Sequence, residues 1–209
     1  MKREEKNSLS RQRILDAALG EFAAKGYEGA SLNAVCAAYG ISKGIIYHYF
    51  KDKDELYLLC AARCFDALTS YMTEAVRDLH GSTGQCLQAY FDARLCFFAQ
   101  NPLYSGLFLD VTLHPPASLA PALLAVRKPF DALSLAFLTE LLECAPLRPG
   151  ITAESVVEDF GMYMDFCHLR FQAALNRACP PGQALRAHEA RCHRQVDILL
   201  HGVLGESHA

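Results

Sequence analysis

The sequence predicts an all-α protein of about nine helices, with a small three-helix head at the N-terminus and a larger helical body behind it. Three observations carry this. Apolar residues recur at three- and four-residue spacing along most of the 209-residue chain. No segment alternates apolar and polar residues as a half-buried strand does, and no internal repeat is present. Stop signals then cut the chain into helix-sized pieces: Gly26, Gly40, His80 to Gly84, Asn101-Pro102, Pro115-Pro116, Pro146 to Gly150, and Pro180-Pro181-Gly182.

The first nine residues are polar and charged and read as a frayed tail. Lys2, Arg3 and Lys6 in it are either an arm for phosphates or the minor groove, or plain solvated charges. A first helix is expected over Ser10–Lys25, with Ile14, Ala17, Ala18 and Phe22 in one stripe that Leu15 and Leu19 widen. Ser31 is placed to cap a second helix carrying Leu32, Val35, Ala38 and Tyr39, and Gly40 ends it. Ser42 is placed to cap a third, short helix reaching Phe50. Ile41, Ile46 and Phe50 would then face inward, and Lys43, Gly44, Ile45, Tyr47 and His48 outward, while Tyr39, Tyr49 and Phe50 join the head's core. Asp52 and Glu55 have capping-box spacing just before Leu56, Leu58 and Leu59. Two helices around a tight glycine-containing turn are a helix-turn-helix.

A long helix without internal Gly or Pro follows from Asp52 to about Leu79 and suits a stiff connector. The body reads as helices over about 85–100, 103–113, 118–144, 152–178 and 183–204, with a kink or break expected at Pro129. The division by task is 1–54 for the head and 55–209 for the body.

Composition narrows the function classes. Hydrophobic residues make up 52% of the chain, enough for a sizeable core, yet no apolar run reaches the length of a membrane span. The charged N-terminus is not followed by a signal-peptide core, so a bacterial-type cytoplasmic protein is expected. Net charge is −3, but residues 1–53 hold nine Lys/Arg against six acids, and the remainder 11 against 17. A basic head on an acidic body fits a nucleic-acid reader. The nine cysteines contain no C-x-x-C pair and mostly fall at apolar helical positions, as reduced, buried thiols do.

The run GYEGASLNAVCAAYGISKGIIYHYFKDKDEL, residues 26–56, resembles the DNA-binding segment of the TetR (tetracycline repressor) family of transcriptional regulators. Its Gly-x-Ser, Tyr-x-Tyr-Phe and Lys-x-Lys-x-Glu-Leu elements occur in register, and the resemblance extends over roughly residues 10–60; beyond about residue 80 only a general all-helical look remains. The resemblance implies that Tyr47 contacts a phosphate, that His48 lies near a base or phosphate, and that Lys53 is the lysine at the start of the fourth helix. It further implies a four-helix dimer interface.

The residues themselves support an expected site for double-stranded DNA. Lys43 can donate to guanine O6/N7, Gly44 lets the backbone approach, and Ile45 suits a thymine methyl unless it packs on the first helix. Ser31, Asn33 and Ser42 stand at helix starts, and Lys53 at another, where backbone N–H groups favour phosphate. A single head binds weakly, so a homodimer reading a palindromic operator is expected, joined through the last two helices. The penultimate of these is apolar on more than one side. An unidentified small-molecule effector could sit among body residues, with Tyr90, Arg94, Phe98, Tyr104, Phe108, Phe137, Met164 and His168 as candidates; plain core is the competing reading for most of them.

The expected function is a DNA-binding regulator, most readily a repressor released by its effector. No catalytic residues, metal or cofactor are assigned, since no P-loop, G-x-S-x-G, H-E-x-x-H or dinucleotide glycine pattern occurs. Alternatives on the same fold are a metal sensor using His188 and Cys192 or Cys60 and Cys64, and a thiol-redox sensor using Cys192. A helical interaction protein without DNA binding is a further alternative.

Overall fold

The computed structural model describes residues 3–174 and 180–203, and every element among them is helical. The order is α1 (Arg3–Gly29), α2 (Leu32–Tyr39), α3 (Lys43–Tyr49), α4 (Lys53–Val76) and α5 (Thr83–Gln100). Then follow α6 (Pro102–Leu113), α7 (Ala120–Glu143), α8 (Ala153–Ala174) and α9 (Pro181–Val203). The all-α expectation with about nine helices therefore holds for the described residues.

Helix ends follow local chemistry. Ser31 is extended (φ −134°, ψ 141°), and its hydroxyl accepts from the Ala34 N–H at 3.1 Å. Gly40 adopts the left-handed conformation (φ 62°) that closes α2. Asp52 caps α4 by accepting from the Glu55 N–H at 2.8 Å, while Glu55 reaches back to the Lys51 N–H at 2.6 Å. The capping box thus closes one residue earlier than its usual form.

Four expectations are corrected. Residues 3–9 are part of α1 and not a frayed tail; Lys2 and the side chains of Arg3 and Lys6 lie outside the described residues. Ser42 stands at the N-cap of α3 but makes no side-chain cap bond. Gly26 does not end α1 outright: it leaves helical geometry at φ 67°, ψ 177°, and one more turn follows to Gly29. Pro129 neither breaks nor ends α7. It is exposed, as is Ala125 four residues earlier, so the carbonyl that loses its partner can be served by water.

The chain forms two compact units. The first comprises residues 1–66 and 101–127, the second 67–100 and 128–209, and α4 contributes to both. In the first unit the core is built from Phe22, Ile46, Phe50, Leu56, Tyr57, Phe65 and Leu107, all essentially inaccessible. Each such side chain contributes roughly 1.5–3 kcal/mol through burial. Phe22 meets Tyr57 edge-on at 5.0 Å, and Phe65 lies against Phe108 at 5.7 Å. Gly106 permits α6 to pass directly over the backbone of α1, because a Cβ there would collide with the Ala23 carbonyl. In the second unit, Tyr71 packs on Phe97 and Tyr90 stacks on Phe137 at 4.9 Å.

Candidate DNA-reading face and a buried polar cluster

The α2–α3 corner separates an inner from an outer face. Ile46 and Phe50 are buried, and Ile41 is only half-buried. On the outer side, Lys43, Gly44, Ile45, Tyr47 and His48 are exposed, with Ile45 at 42% and Tyr47 at 53%. Ile45 therefore does not pack into the head. Ser31, Asn33 and Ser42 are exposed as well. The Ser31 backbone N–H is engaged by Glu21 at 3.2 Å, and its hydroxyl is the acceptor of the α2 cap. His48 lies edge-on to Tyr49 at 4.9 Å, and the Tyr49 hydroxyl donates to Asn7 at 2.8 Å, tying α3 to the start of α1. Arg11 sits 5.1 Å over the Phe50 ring. The Tyr39 side chain lies outside the described residues.

Lys53 is half-buried, its ammonium 4.3 Å over the Tyr27 ring. Tyr27 in turn donates to Asp54 at 2.5 Å, and that bond, helped by burial and the nearby carboxylate charge, pushes its phenol up to about 12. Tyr27 thus joins Lys53 and Asp54 at the start of α4.

Behind this face stands a residue that the sequence reading missed. Asp110 of α6 accepts from the Tyr27 N–H and the Tyr57 hydroxyl, both at 2.7 Å. Burial pushes its carboxyl above the usual range, against the opposing pull of those two donors. The left-handed Gly26 brings the α1 backbone up to this carboxylate, where any Cβ would collide with Oδ1. A lone acid inside the apolar run Leu107–Leu113 was the available signal.

The effector candidates do not form one group. Tyr104 and Phe108 belong to the first unit; Tyr90, Arg94, Phe98, Phe137 and His168 belong to the second, and the Met164 side chain lies outside the described residues. Tyr90 shares a 2.7 Å hydrogen bond with Ser134. Arg94 is buried and pairs with Glu189 at 2.5 Å, with its guanidinium also over the Phe91 ring. Arg94 is therefore committed to an internal ion pair. Burial opposes the charge of Glu189, but Arg94 and His188 outweigh it and hold the carboxyl below its ordinary range. Nothing in the local sequence around Glu189 marked it as buried.

The cysteines also need correction. Cys96 and Cys144 are exposed, whereas Cys60, Cys64, Cys86 and Cys192 are buried. Cys192 lacks the exposure that a redox sensor requires. Burial pushes the Cys60 thiol up to about 12, which makes it a poor nucleophile. Cys179 and the Cys167 side chain lie outside the described residues. Among the described residues, no helix is long and apolar enough to cross a membrane.

A short helix with an exposed polar and aromatic face, braced at a glycine corner against a longer helix, defines a helix-turn-helix protein with a helical body. Residues 14–60 match the family model of bacterial regulatory proteins of the tetR family. The similarity to that family lies in this segment. It is 46% identical over 57 residues to the HTH-type transcriptional repressor AcnR of Corynebacterium glutamicum, a match covering 27% of this chain and 30% of that relative. The matches to the corynebacterial AcnR relatives span well under half of their length. The nucleoid occlusion factor SlmA of Haemophilus ducreyi is 27% identical over 162 residues, 77% of this chain and 78% of that one. A crystal structure of a TetR family transcriptional regulator from Chloroflexus aurantiacus shares the fold over 95% of both chains, with a TM-score of 0.62 and 22% identity.

Proposed function

We propose that this protein is a homodimeric, sequence-specific DNA-binding transcriptional regulator, acting as a repressor that a small-molecule effector releases. The observation that carries the reading is the outward face of α3. Lys43, Gly44, Ile45, Tyr47 and His48 are exposed together on a helix whose other side is locked by Ile46 and Phe50. An exposed isoleucine between a lysine and a tyrosine has little use on a bare surface, but it suits a groove that offers acceptors, phosphates and thymine methyls.

In this reading Lys43 and Ile45 read base edges. Tyr47, His48, Lys53, Ser31, Asn33 and Ser42 hold the backbone, and Gly44 allows close approach. Residues 1–54 read DNA, and residues 55–209 carry effector binding and dimerisation. Dimerisation through α8 and α9 is supported by Met162 and Phe166, four apart on α8, and by Ile198 on α9. All three are more than half exposed despite being large and apolar. An effector lowers DNA affinity only by favouring a body shape in which the two heads no longer match the half-site spacing. The Gly- and Pro-free α4 is the element through which such a change would pass. The protein would work in the cytoplasm, and no catalytic role is proposed.

Binding of the full chain to a random duplex pool, followed by fluorescence anisotropy across a salt series, tests the reading. Affinity that falls steeply with salt is expected. Absence of binding at low salt, with or without extracts of small metabolites, would sink it.

A further inference from the structure

The second unit contains a side-chain cluster that the DNA-reading proposal does not use. His168 of α8 and His188 and Cys192 of α9 each offer one donor atom, and those atoms lie within 4.8 Å of one another. His188 and Cys192 are one turn apart and buried, and His168 is half-buried. The two imidazole rings are near-parallel, 5.2 Å apart, and Cys192 Sγ lies 3.7 Å from His188 Nε2. Ligands of one tetrahedral zinc-class ion stand roughly 3.3–3.6 Å apart, given Zn–N and Zn–S bonds of about 2.0–2.3 Å. The donors stand wider than this and the two rings are stacked, so binding one ion requires the side chains to rotate inward.

A second observation points the same way. His188 Nδ1 faces Glu189 Oε1 at 3.2 Å, and Glu189 is itself fixed through its other oxygen by Arg94. A carboxylate only accepts, so Nδ1 is the donor to Glu189 and Nε2 is left as the ring's ligating nitrogen; Cys192 Sγ lies 3.7 Å from Nε2 and 3.9 Å from Nδ1. A carboxylate that orients the far nitrogen of a histidine is the usual support of a metal-bound imidazole.

We propose that His168, His188 and Cys192 bind a divalent ion of the zinc class, clamping α8 to α9 and leaving a fourth coordination position open. Binding takes Cys192 as its thiolate, so one proton leaves to solvent for each ion bound. Two nitrogens and one sulfur suit zinc or cobalt rather than magnesium or calcium. This site goes beyond the DNA-reading proposal and is tested without DNA, so either can fail alone.

The untagged full-length chain, stripped by a chelator and kept reduced, is titrated with Co2+. One equivalent per chain should produce the thiolate-to-cobalt charge-transfer band and the visible bands of tetrahedral cobalt, and Zn2+ should abolish both. Cys192→Ser should remove the charge-transfer band. His168→Gln, which alters the half-buried ligand, should weaken Co2+ binding by more than about tenfold with unchanged helical circular dichroism. If Cys192→Ser loses its helicity, the wild-type titration and His168→Gln decide the matter. No band in the folded wild-type chain, a band that persists in folded Cys192→Ser, or unweakened binding in His168→Gln would overturn the assignment.

Discussion

Asp110 is a half-buried carboxylate that accepts from two donors, the Tyr27 N–H and the Tyr57 hydroxyl. Removing it strands the buried Tyr57 hydroxyl, so Asp110→Ala should cost about 1–3 kcal/mol in urea unfolding. Tyr57→Phe, which removes the donor instead, should cost less. Glu189 gives a pH signature. Its carboxyl lies below the ordinary value of 4.5 in the fold, so the unfolded chain takes up that proton first as the pH falls. The stability it contributes is complete above about pH 4.5 and disappears as the pH drops through the lower folded value. Urea midpoints should fall as the pH drops across that window, and Glu189→Gln should lower stability above the window while flattening the dependence within it. At the proposed reading face, Tyr47→Ala or Lys53→Ala should weaken DNA binding across sequences and reduce the salt slope by about 1 each. Lys43→Ala or Ile45→Ala should instead relax preference at one position per half-site. If all four left affinity and preference unchanged, the assignment of the face would be wrong.

At the level of elements, α1 and α6 pack closely because Gly106 has no side chain over the Ala23 carbonyl. Gly106→Ala should force the helices apart and cost about 1–3 kcal/mol, read as a lowered thermal midpoint. Much of this level was legible in the sequence. The Ser31 cap, the Gly40 stop and the Asp52–Glu55 pair are local chemistry, and helix ends from α2 to α7 fall within a few residues of their signals. The turn Arg3–Asn7 was not legible, since its polar residues carry no apolar period; the Tyr49–Asn7 bond is a long-range contact that no local pattern encodes. The continuity of α7 through Pro129 depends on exposure, which a sequence states only indirectly. The α3 face could be read from periodicity and resemblance together. The clustering of His168 with His188 and Cys192 needed α8 beside α9, and the sequence supplied only the i, i+4 half of it.

The whole molecule, in the proposed account, is a pair of heads whose spacing its body controls. Association is expected to rest on the exposed apolar residues of α8 and α9. Phe166→Glu together with Ile198→Glu should convert a dimer into monomers in sedimentation analysis while leaving helicity intact, and should lower DNA affinity by abolishing two-site binding. A variant pair that sedimented like the parent would move the interface elsewhere. The central claim is that two α3 helices read a symmetric sequence together. Sequencing the DNA retained by the purified protein from a randomised duplex pool tests it most directly. An inverted repeat whose half-sites lie about one helical turn, roughly 34–36 Å, apart is expected, with no such enrichment for the Tyr47→Ala, Lys53→Ala protein. Retained DNA without any shared or symmetric sequence at low salt would contradict it.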